Sequence, residues 1–377
     1  MKILIFSWRD PKHPLAGGAE QVVHEHSKGW IKAGHEVTLF SSRFNDSNKF
    51  EVLDGVKIIR KGYQYLGVQI AAFVYYMGNH ENYDLVIDQF HGLPFFTPLY
   101  ARKPKIALIQ ETARNVWFLN PLPFPVNWIV GVLGYFGEPF IFLIYRFTKF
   151  ATGSQSAKAD VSKFFIPLSN ITVWPHGVIV NLHRKKTSKE KLPTIAYLGV
   201  LSKDKGIEDA LKCFAYLRNK GNYQFWIIGK PETEKYGKYI VNLTKKFKMQ
   251  KKVKYWGYVS QLKKFELLSR AHLLINSSSR EGWGLVNIEA NAVGTPVVSY
   301  RSAGLVDSVK DGVSGVVVKD NTPLKLAETV DEILNDNLFY KKLQNGAINW
   351  SKKFNWDLSV KISLKTLRNV RRKFPHP

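Results

Sequence analysis

Apolar positions along the chain fall into short runs separated by longer stretches of helical spacing. Runs at residues 3–8, 37–41, 56–60, 85–88, 106–109, 150–153 and 171–173 are mostly apolar on both faces, bounded by Gly, Asp or Pro. Such runs predict strands buried on both sides, as in a parallel sheet covered by helices. Between them, residues 19–33 are amphipathic and stop at Gly34. Residues 68–78 carry a second helical pattern, and Ser154 is placed to cap a helix over 155–165.

The scheme then repeats. Strands are expected at 194–198, 225–228, 253–256, 273–276, 296–299 and 316–318, with helices between them. The clearest helix spans 207–217, where Ile207, Ala210, Leu211, Phe214 and Leu217 share one face. Residues 181–193 are polar and charged and read as a linker. The pattern therefore predicts an α/β chain of two Rossmann-like parallel-sheet domains, 1–180 and 181–356. Two such domains on one linker are expected to face each other across a cleft, and open parallel sheets bind ligands at the carboxyl ends of their strands. One segment is unusual: residues 128–147 are almost wholly apolar and aromatic, interrupted by Gly131, Gly134, Gly137, Glu138, Pro139 and Arg146. A broken helix pair, not a membrane span, is expected there.

With 377 residues, 45% of them hydrophobic, the chain can bury two full cores, which excludes a mainly disordered protein. The single Cys213 excludes an internal disulfide and a cysteine-based zinc site, and fits a reducing compartment. Met1-Lys2 runs directly into a strand instead of a signal-peptide core, so a cytoplasmic location is expected. Charge changes the picture more: 55 Lys+Arg against 30 Asp+Glu give +25, which calls for an anionic partner. Nucleic acid, an anionic membrane surface and phosphorylated small molecules all qualify. The basic residues are scattered, with modest clusters at 184–186, 245–252 and 371–373, and no RNA-binding or zinc-finger signature accompanies them. That pattern disfavours nucleic acid. No Gly-x-Gly-x-x-Gly follows the first strand, which argues against a dinucleotide-dependent oxidoreductase.

The most specific chemistry lies at 277–298. A strand ends near Asn276, a polar loop carries Arg280, Glu281, Gly282 and Trp283, and a helix begins near Gly284 or Leu285 and stops at Gly294. A helix N-terminus offers unpaired N–H groups to a diphosphate, and small residues let the backbone approach a ligand. Glu281 and Glu289 are eight residues apart. On one helix that spacing is about 12 Å of rise and an offset of about 80°, so they converge only if Glu281 sits on the loop before it. Carboxylates there suit vicinal hydroxyls, one for a sugar ring and one for a ribose; the alternative is a helix-dipole carboxylate plus a surface Glu. Gly17-Gly18, after the first strand, is either a second anion site at a helix start or a plain turn.

The Glu281-x7-Glu289 element, followed by Ala290-Asn291-Ala292-Val293-Gly294-Thr295-Pro296-Val297-Val298, resembles the donor-site signature of retaining GT-B glycosyltransferases, specifically glycosyltransferase family 4. Gly17-Gly18-Ala19-Glu20 resembles that family's N-terminal glycine loop, Leu198-Gly199-Val200-Leu201-Ser202-Lys203-Asp204-Lys205-Gly206 its phosphate-binding turn, and Phe354-Asn355-Trp356 its closing segment, which implies a last helix over 357–377 packing back on the first domain. The resemblance covers nearly the whole chain. It implies a retaining hexosyl transfer from a UDP- or GDP-sugar to a hydroxyl acceptor, a lipid-linked or surface-glycan precursor. A front-face, ion-pair-like step is implied, without metal or cofactor; no Asp-x-Asp triplet is present.

The implied catalytic residues are Lys205, Glu281, His91 and Gln110. The implied donor-binding residues are Gly17, Gly18, Gly199, Lys205, Tyr258, Glu281, Gly282, Trp283, Gly284, Leu285, Val286 and Glu289, with Tyr258 and Trp256 near the base. Two positions depart from the family pattern. Val200 replaces an Arg, with Lys203 and Lys230 as candidate substitutes, and Gln110 replaces a His. His91 and His176 are either cleft residues or packing residues. The departures leave a catalytically weak or silent nucleotide-sugar-binding relative as the alternative. The aromatic segment 117–145, flanked by Arg146 and Lys149, suits either a membrane interface or a core helix pair. A peripheral position on the cytoplasmic membrane face is expected from it.

Overall fold

The computed structural model describes residues 1–64, 66–90, 92–120, 122–178 and 188–374. The chain forms two compact units. One comprises Met1–Phe118, Trp128–Gly177 and Asn355–Pro377, and the other comprises Leu119–Asn127 and Val178–Phe354. The linker expected at 181–193 lies outside the described residues as far as 187.

The first unit holds strands β1 (Lys2–Phe6), β2 (Glu36–Ser41), β3 (Phe50–Leu53), β4 (Val56–Arg60), β5 (Leu85–Phe90), β6 (Lys105–Ile109), β7 (Lys149–Thr152) and β8 (Ile171–Val173). Its helices so far are α1 (Gly18–Lys32), α2 (Leu66–Asn79), α3 (Val126–Ile144) and α4 (Gln155–Ser162). The strands order as β3-β4-β2-β1-β5-β6-β7-β8. Side-chain alternation splits the core between the two faces of the sheet. Ile3 and Ile5 of β1 join Val23 and Trp30 of α1 on one side. Leu4 and Phe6 join Val68, Ala72 and Tyr76 of α2 on the other.

Two elements differ from the sequence expectation. The sheet is not wholly parallel, because β3 pairs antiparallel with β4 at its edge. The hairpin turns at Asp54-Gly55, whose φ values of +49° and +83° match the two-residue turn that an Asp-Gly pair favours. Second, residues 128–147 do not form a broken pair; α3 is one helix that includes Pro139. Three of the residues that read as breakers, Gly131, Gly134 and Glu138, lie on its packing face. A Cβ on Gly131 would lie 2.5 Å from the Phe118 ring, and one on Gly134 would lie 2.2 Å from Trp117, so both aromatics sit directly on the helix backbone. Glu138, one turn further along the same face, is buried and accepts the N–H groups of Ala113 and Arg114 at 2.6 and 2.7 Å. By length and apolarity α3 is able to cross a membrane, and most of its surface is exposed.

The first unit also contains a buried ion pair. Arg60, at the end of β4, donates through Nε and Nη2 to the two Asp10 carboxylate oxygens at 2.7 and 2.9 Å, and through Nη1 to Glu51 at 2.9 Å. Burial alone would raise the Asp10 carboxyl, but the Arg60 hydrogen bonds and charge, with help from Lys12 and Ser41, hold it below its ordinary value.

The second unit is a six-stranded, wholly parallel sheet in the order β11-β10-β9-β12-β13-β14. Its strands are β9 (Thr194–Leu198), β10 (Gln224–Ile228), β11 (Val253–Gly257), β12 (Leu273–Asn276), β13 (Val297–Ser299) and β14 (Gly315–Val317). Helices α5 (Ile207–Leu217), α6 (Glu234–Lys246), α7 (Gln261–Arg270), α8 (Leu285–Ala292), α9 (Leu305–Ser308), α10 (Pro323–Asn335) and α11 (Asn337–Ser351) connect them. A core built on Ile195, Phe214 and Phe225 covers one face of the sheet, and one built on Ala196, Leu268 and Leu274 covers the other. Cys213 is buried in the first of these.

The final helix, α12 (Trp356–Lys373), returns to the first unit. Asn355 caps it through the N–H of Leu358 at 2.8 Å, while Leu367 and Val370 enter the core beside α1. Polar ties fix the register of the two helices. Trp30 Nε1 donates to Ser363 at 2.8 Å, and the His26 ring meets Ser359 at 2.8 Å. Burial lowers the pKa of His26 to about 4, and burial with the neighbouring His26 lowers that of His176 to about 3. Both rings are therefore neutral in the fold, while the unfolded chain takes up protons near pH 6.5. Their contribution to stability is complete above that pH and declines as pH falls toward the folded values. At pH 5 the combined loss is about 4 kcal/mol. Calorimetry at pH 7 and pH 5 is expected to show the first-unit transition falling, with a smaller fall in His26→Gln and His176→Gln.

Candidate active site

The carboxyl ends of β9 and β12 bring two loops of the second unit together. After β9, Gly199–Gly206 turns back and hands over to α5; after β12, Ser277–Gly284 leads into α8. Backbone and serine contacts tie the loops to each other. Ser277 Oγ donates to the Gly206 carbonyl at 2.7 Å, and the N–H and hydroxyl of Ser279 both donate to the Asp204 carbonyl, at 2.9 and 3.0 Å. The Tyr197 hydroxyl, under the first loop, donates to the Val200 carbonyl at 2.9 Å. Gly206 is in the left-handed region, at φ +71°, and a Cβ there would lie 2.1 Å from the Ser277 carbonyl oxygen. Only glycine permits that approach.

This tethering places Lys205 against Glu281, with Nζ 3.1 Å from Oε1. Asp204 lies 3.7 Å from the same ammonium, and Ser278 Oγ donates to Glu281 Oε1 at 3.0 Å. Burial and the Asp204 charge push the Glu232 carboxyl up. Lys205 thus shares its charge between Asp204 and Glu281. Beside the exposed Val200, Leu201 N–H donates to the Lys230 carbonyl at 2.9 Å, which ties the first loop to the turn after β10. Lys230 Nζ lies 5.9 Å from the Tyr258 ring, which is itself largely exposed. Lys203 is exposed on the first loop.

Gly284, at φ +86°, caps α8, so Leu285 and Val286 begin its first turn. Beneath them Asn276 donates to Asn287 at 2.9 Å, and Asn287 to Ser308 at 2.9 Å, a buried network that fixes the helix start. Gly282 is buried, and Trp283 packs edge-on against Phe354 at 5.0 Å. Glu289 is buried on α8 and paired with Lys264 at 2.6 Å. Trp256 packs against Trp226 and under Lys254, whose ammonium is 3.9 Å from its ring.

In the first unit, Gly17 caps α1 in an extended conformation and Gly18 opens the helix. The anion at this helix start is internal. Glu20 is buried, accepts the Gly17 N–H at 2.7 Å and pairs with Arg9 at 3.2 Å. Gln110 follows β6, and its buried amide has no hydrogen-bond partner among the described residues. A Cβ on Gly153 would lie 2.6 Å from the His176 ring and 3.3 Å from the Gln110 oxygen, so both side chains border that glycine. His176 stacks on Trp356 at 6.3 Å, as a packing residue does. His91 lies outside the described residues.

Residues 16–182 match the family described as Glycosyltransferase Family 4, and residues 179–350 match the one described as Glycosyl transferases group 1. The chain belongs to glycosyltransferase family 4. The glycogen synthase of Mycobacterium tuberculosis is 24% identical over 89% of this chain and 86% of its own. Among solved structures, the glycosyltransferase resembles sucrose-phosphate synthase from Thermosynechococcus elongatus, with a TM-score of 0.81 and 17% identity over 98% of both chains. It also resembles Anabaena HepE in complex with UDP-glucose, with a TM-score of 0.73 and 17% identity over 98% of this chain and 100% of that one. These likenesses show the GT-B fold.

The fold of the glycosyltransferase also brings in a turn that sequence reasoning missed. Glu281 N–H donates to the Ala303 carbonyl at 3.2 Å, and Ser302 Oγ donates to the Ser278 carbonyl at 2.8 Å. Gly304, at φ +76°, approaches so closely that a Cβ would lie 2.3 Å from the Glu281 carbonyl oxygen. The signal available was the Ser-Ala-Gly sequence between β13 and α9, a turn composition in a family whose ligand loops follow strands. The Arg9–Glu20 pair was likewise not anticipated.

Proposed function

We propose that this glycosyltransferase moves a hexose, with retention, from a UDP- or GDP-sugar to a lipid-linked or glycan-precursor hydroxyl on the cytoplasmic face of a membrane. The observation that carries the donor half is the Lys205–Glu281 pair beside the start of α8. Breaking the bond from anomeric carbon to diphosphate leaves charge on the phosphates. Lys205 and the N–H groups of Leu285 and Val286 are suited to stabilise it. Glu281 accepts hydrogen bonds from sugar hydroxyls, and Glu289 from the ribose; Gly199, Gly282 and Gly284 admit the backbone to the diphosphate, and Tyr258 borders the base. Gly17, Gly18 and Gln110 serve the acceptor side of the first unit, where Gln110 orients a hydroxyl without taking its proton. Retention follows a front-face route in which the departing phosphate oxygen receives the acceptor proton.

The charge at the site requires a second cation. Lys205 faces Asp204 and Glu281, so a diphosphate needs more positive charge than Lys205 alone supplies. Lys230, on the turn bonded to Leu201, is proposed to supply it in place of an arginine at Val200. Neither metal nor cofactor enters this scheme. The likeness to a chain solved with UDP-glucose supports the choice of donor class.

The test is a thermal-shift screen over UDP, GDP and their hexose conjugates, followed by turnover measurements with EDTA present. One nucleotide is expected to raise the melting temperature, by about 2.7 kcal/mol of added stability at a hundredfold excess over Kd. Its sugar conjugate is expected to be turned over with EDTA present. Binding without turnover would favour the silent relative instead.

A further inference from the structure

We propose that the outward faces of α2 and α3 together form one in-plane footing on an anionic lipid bilayer. This rests on the membrane reading of the aromatic segment above and adds a second helix that the reading did not include.

Both helices cover the same face of the first-unit sheet. In β5 the side chains of Val86, Asp88 and Phe90 point to one side, away from Leu85 and Ile87, which face α1 and α12. Val86 packs with α2, and Phe90 packs with Phe142 of α3. The two helices are also linked across their seam. Gln69 of α2 and Trp8 both donate to the Leu93 carbonyl, at 3.5 and 2.8 Å, while Trp117, seated on Gly134 of α3, borders the adjacent Gly92. With their inner sides on one sheet face, their outer sides look the same way.

Those outer sides are apolar and uncharged. On α2, Leu66, Ile70, Val74 and Met77 recur at helical spacing and are 52–65% exposed. On α3, Ile129, Leu133, Phe136, Phe140 and Leu143 recur at three- and four-residue steps and are 50–69% exposed. Residues 62–79 carry no charged side chain, and residues 115–145 carry one, the buried Glu138. Water-soluble monomers rarely present so large an apolar surface.

The rim decides the partner. At the C-terminal end of α2, the Tyr76 hydroxyl accepts the N–H groups of Arg102 and Lys103. Arg146 and Lys149 follow α3, while the carboxylates between α2 and β5 are Glu81 and Asp84, the latter paired with Arg371 at 3.3 Å. Apolar faces bordered by cations suit acyl chains under anionic headgroups. A second copy of this chain, with net charge +25, brings apolar surface but no counter-charge for that rim.

The footing lies in the plane of the membrane and does not span it. Crossing would strip α3 from Trp117 and Phe118, remove Phe142 from the core, and expose Glu138 after breaking its two N–H contacts. A charge moved to the bilayer centre costs several kcal/mol.

Flotation on vesicles of 7:3 phosphatidylcholine and phosphatidylglycerol tests this, using the full chain. The wild type is expected to float, and much less on phosphatidylcholine alone. The triple variant Ile70→Glu, Val74→Glu, Met77→Glu and the double variant Leu133→Glu, Phe140→Glu are each expected to cut the floated fraction at least fivefold. Retained melting temperature and nucleotide shift would show that both variants are folded. Wild-type flotation by the α2 variant would overturn the two-helix footing. So would a dimer in light scattering that the α2 variant dissolves while flotation is unchanged, which would make a second copy the partner. Failure of the wild type to float, with the nucleotide shift intact, would overturn the footing and leave the transfer reading standing; loss of the nucleotide shift with flotation intact would do the reverse.

Discussion

Lys205→Ala is expected to lower kcat/KM for sugar transfer about a hundredfold, most of it in kcat. A positioned group at a developing anion commonly contributes factors of about 10²–10³ when its charge is felt mainly in the transition state. The geometry accounts for a loss of this size. Without Lys205, the leaving diphosphate would approach Asp204 and Glu281 with the cation that pairs with both of them removed. Glu281→Ala and Glu289→Ala are expected to cost at least about tenfold each, through loss of hydroxyl contacts. Lys230→Ala is expected to cost about tenfold, and Val200→Arg in that background to restore most of it, since both cations address the same phosphate. Steady-state kinetics with the donor found by thermal shift would measure all of these. Near wild-type rates in the Lys205, Glu281 and Glu289 variants together would refute the site.

Arg60→Ala is expected to destabilise the first unit by about 3–5 kcal/mol, the range for removing one partner of a buried ion pair. Asp10 is fully buried, and Arg60 supplies two of its hydrogen bonds; Glu51 would lose a partner as well. Domain stabilities of about 5–15 kcal/mol make such a loss decisive. Urea unfolding should show the first-unit transition moving to lower denaturant. The double variant Arg60→Met, Asp10→Asn is expected to recover much of the loss, because it removes both charges together. Equal stability of Arg60→Ala and wild type would mean that water reaches Asp10.

The fold was legible where burial leaves a local trace. The runs at 3–8, 85–88, 194–198 and 273–276 are apolar on both faces because helices cover both, and each is a central strand of its sheet. Strand β3 was not legible by that rule. It is an edge strand whose apolar Phe50 and Val52 face outward, so its alternation runs against the usual in–out pattern. Asp54-Gly55 was the better signal. The segment 128–147 was misread for a related reason: Gly131, Gly134 and Glu138 look like breakers until Trp117 and Phe118 are seen lying on them. In the candidate site, the loop at 277–284 and the turn at 199–206 are legible because strand, loop and helix start are contiguous in sequence. The 302–304 turn was not, since it reaches Glu281 from over 20 residues away through one backbone N–H, a serine hydroxyl and a close glycine approach, none of which leaves a periodic trace in the sequence.

The return of α12 also bears on how the protein is made. The first unit is begun by the opening residues and finished by Asn355–Pro377, while the second unit uses an uninterrupted stretch from Val178 to Phe354 apart from Leu119–Asn127. During synthesis the six-stranded sheet can close as soon as β14 and its following helices emerge. The strands of the eight-stranded sheet are all made by residue 173, but its α1 side stays incomplete, with Trp30 and His26 lacking their α12 partners, until Ser359 and Ser363 leave the ribosome. The order of translation therefore matures the second unit before the first, and a nascent chain stalled before residue 355 would expose the α1 face of an unfinished core.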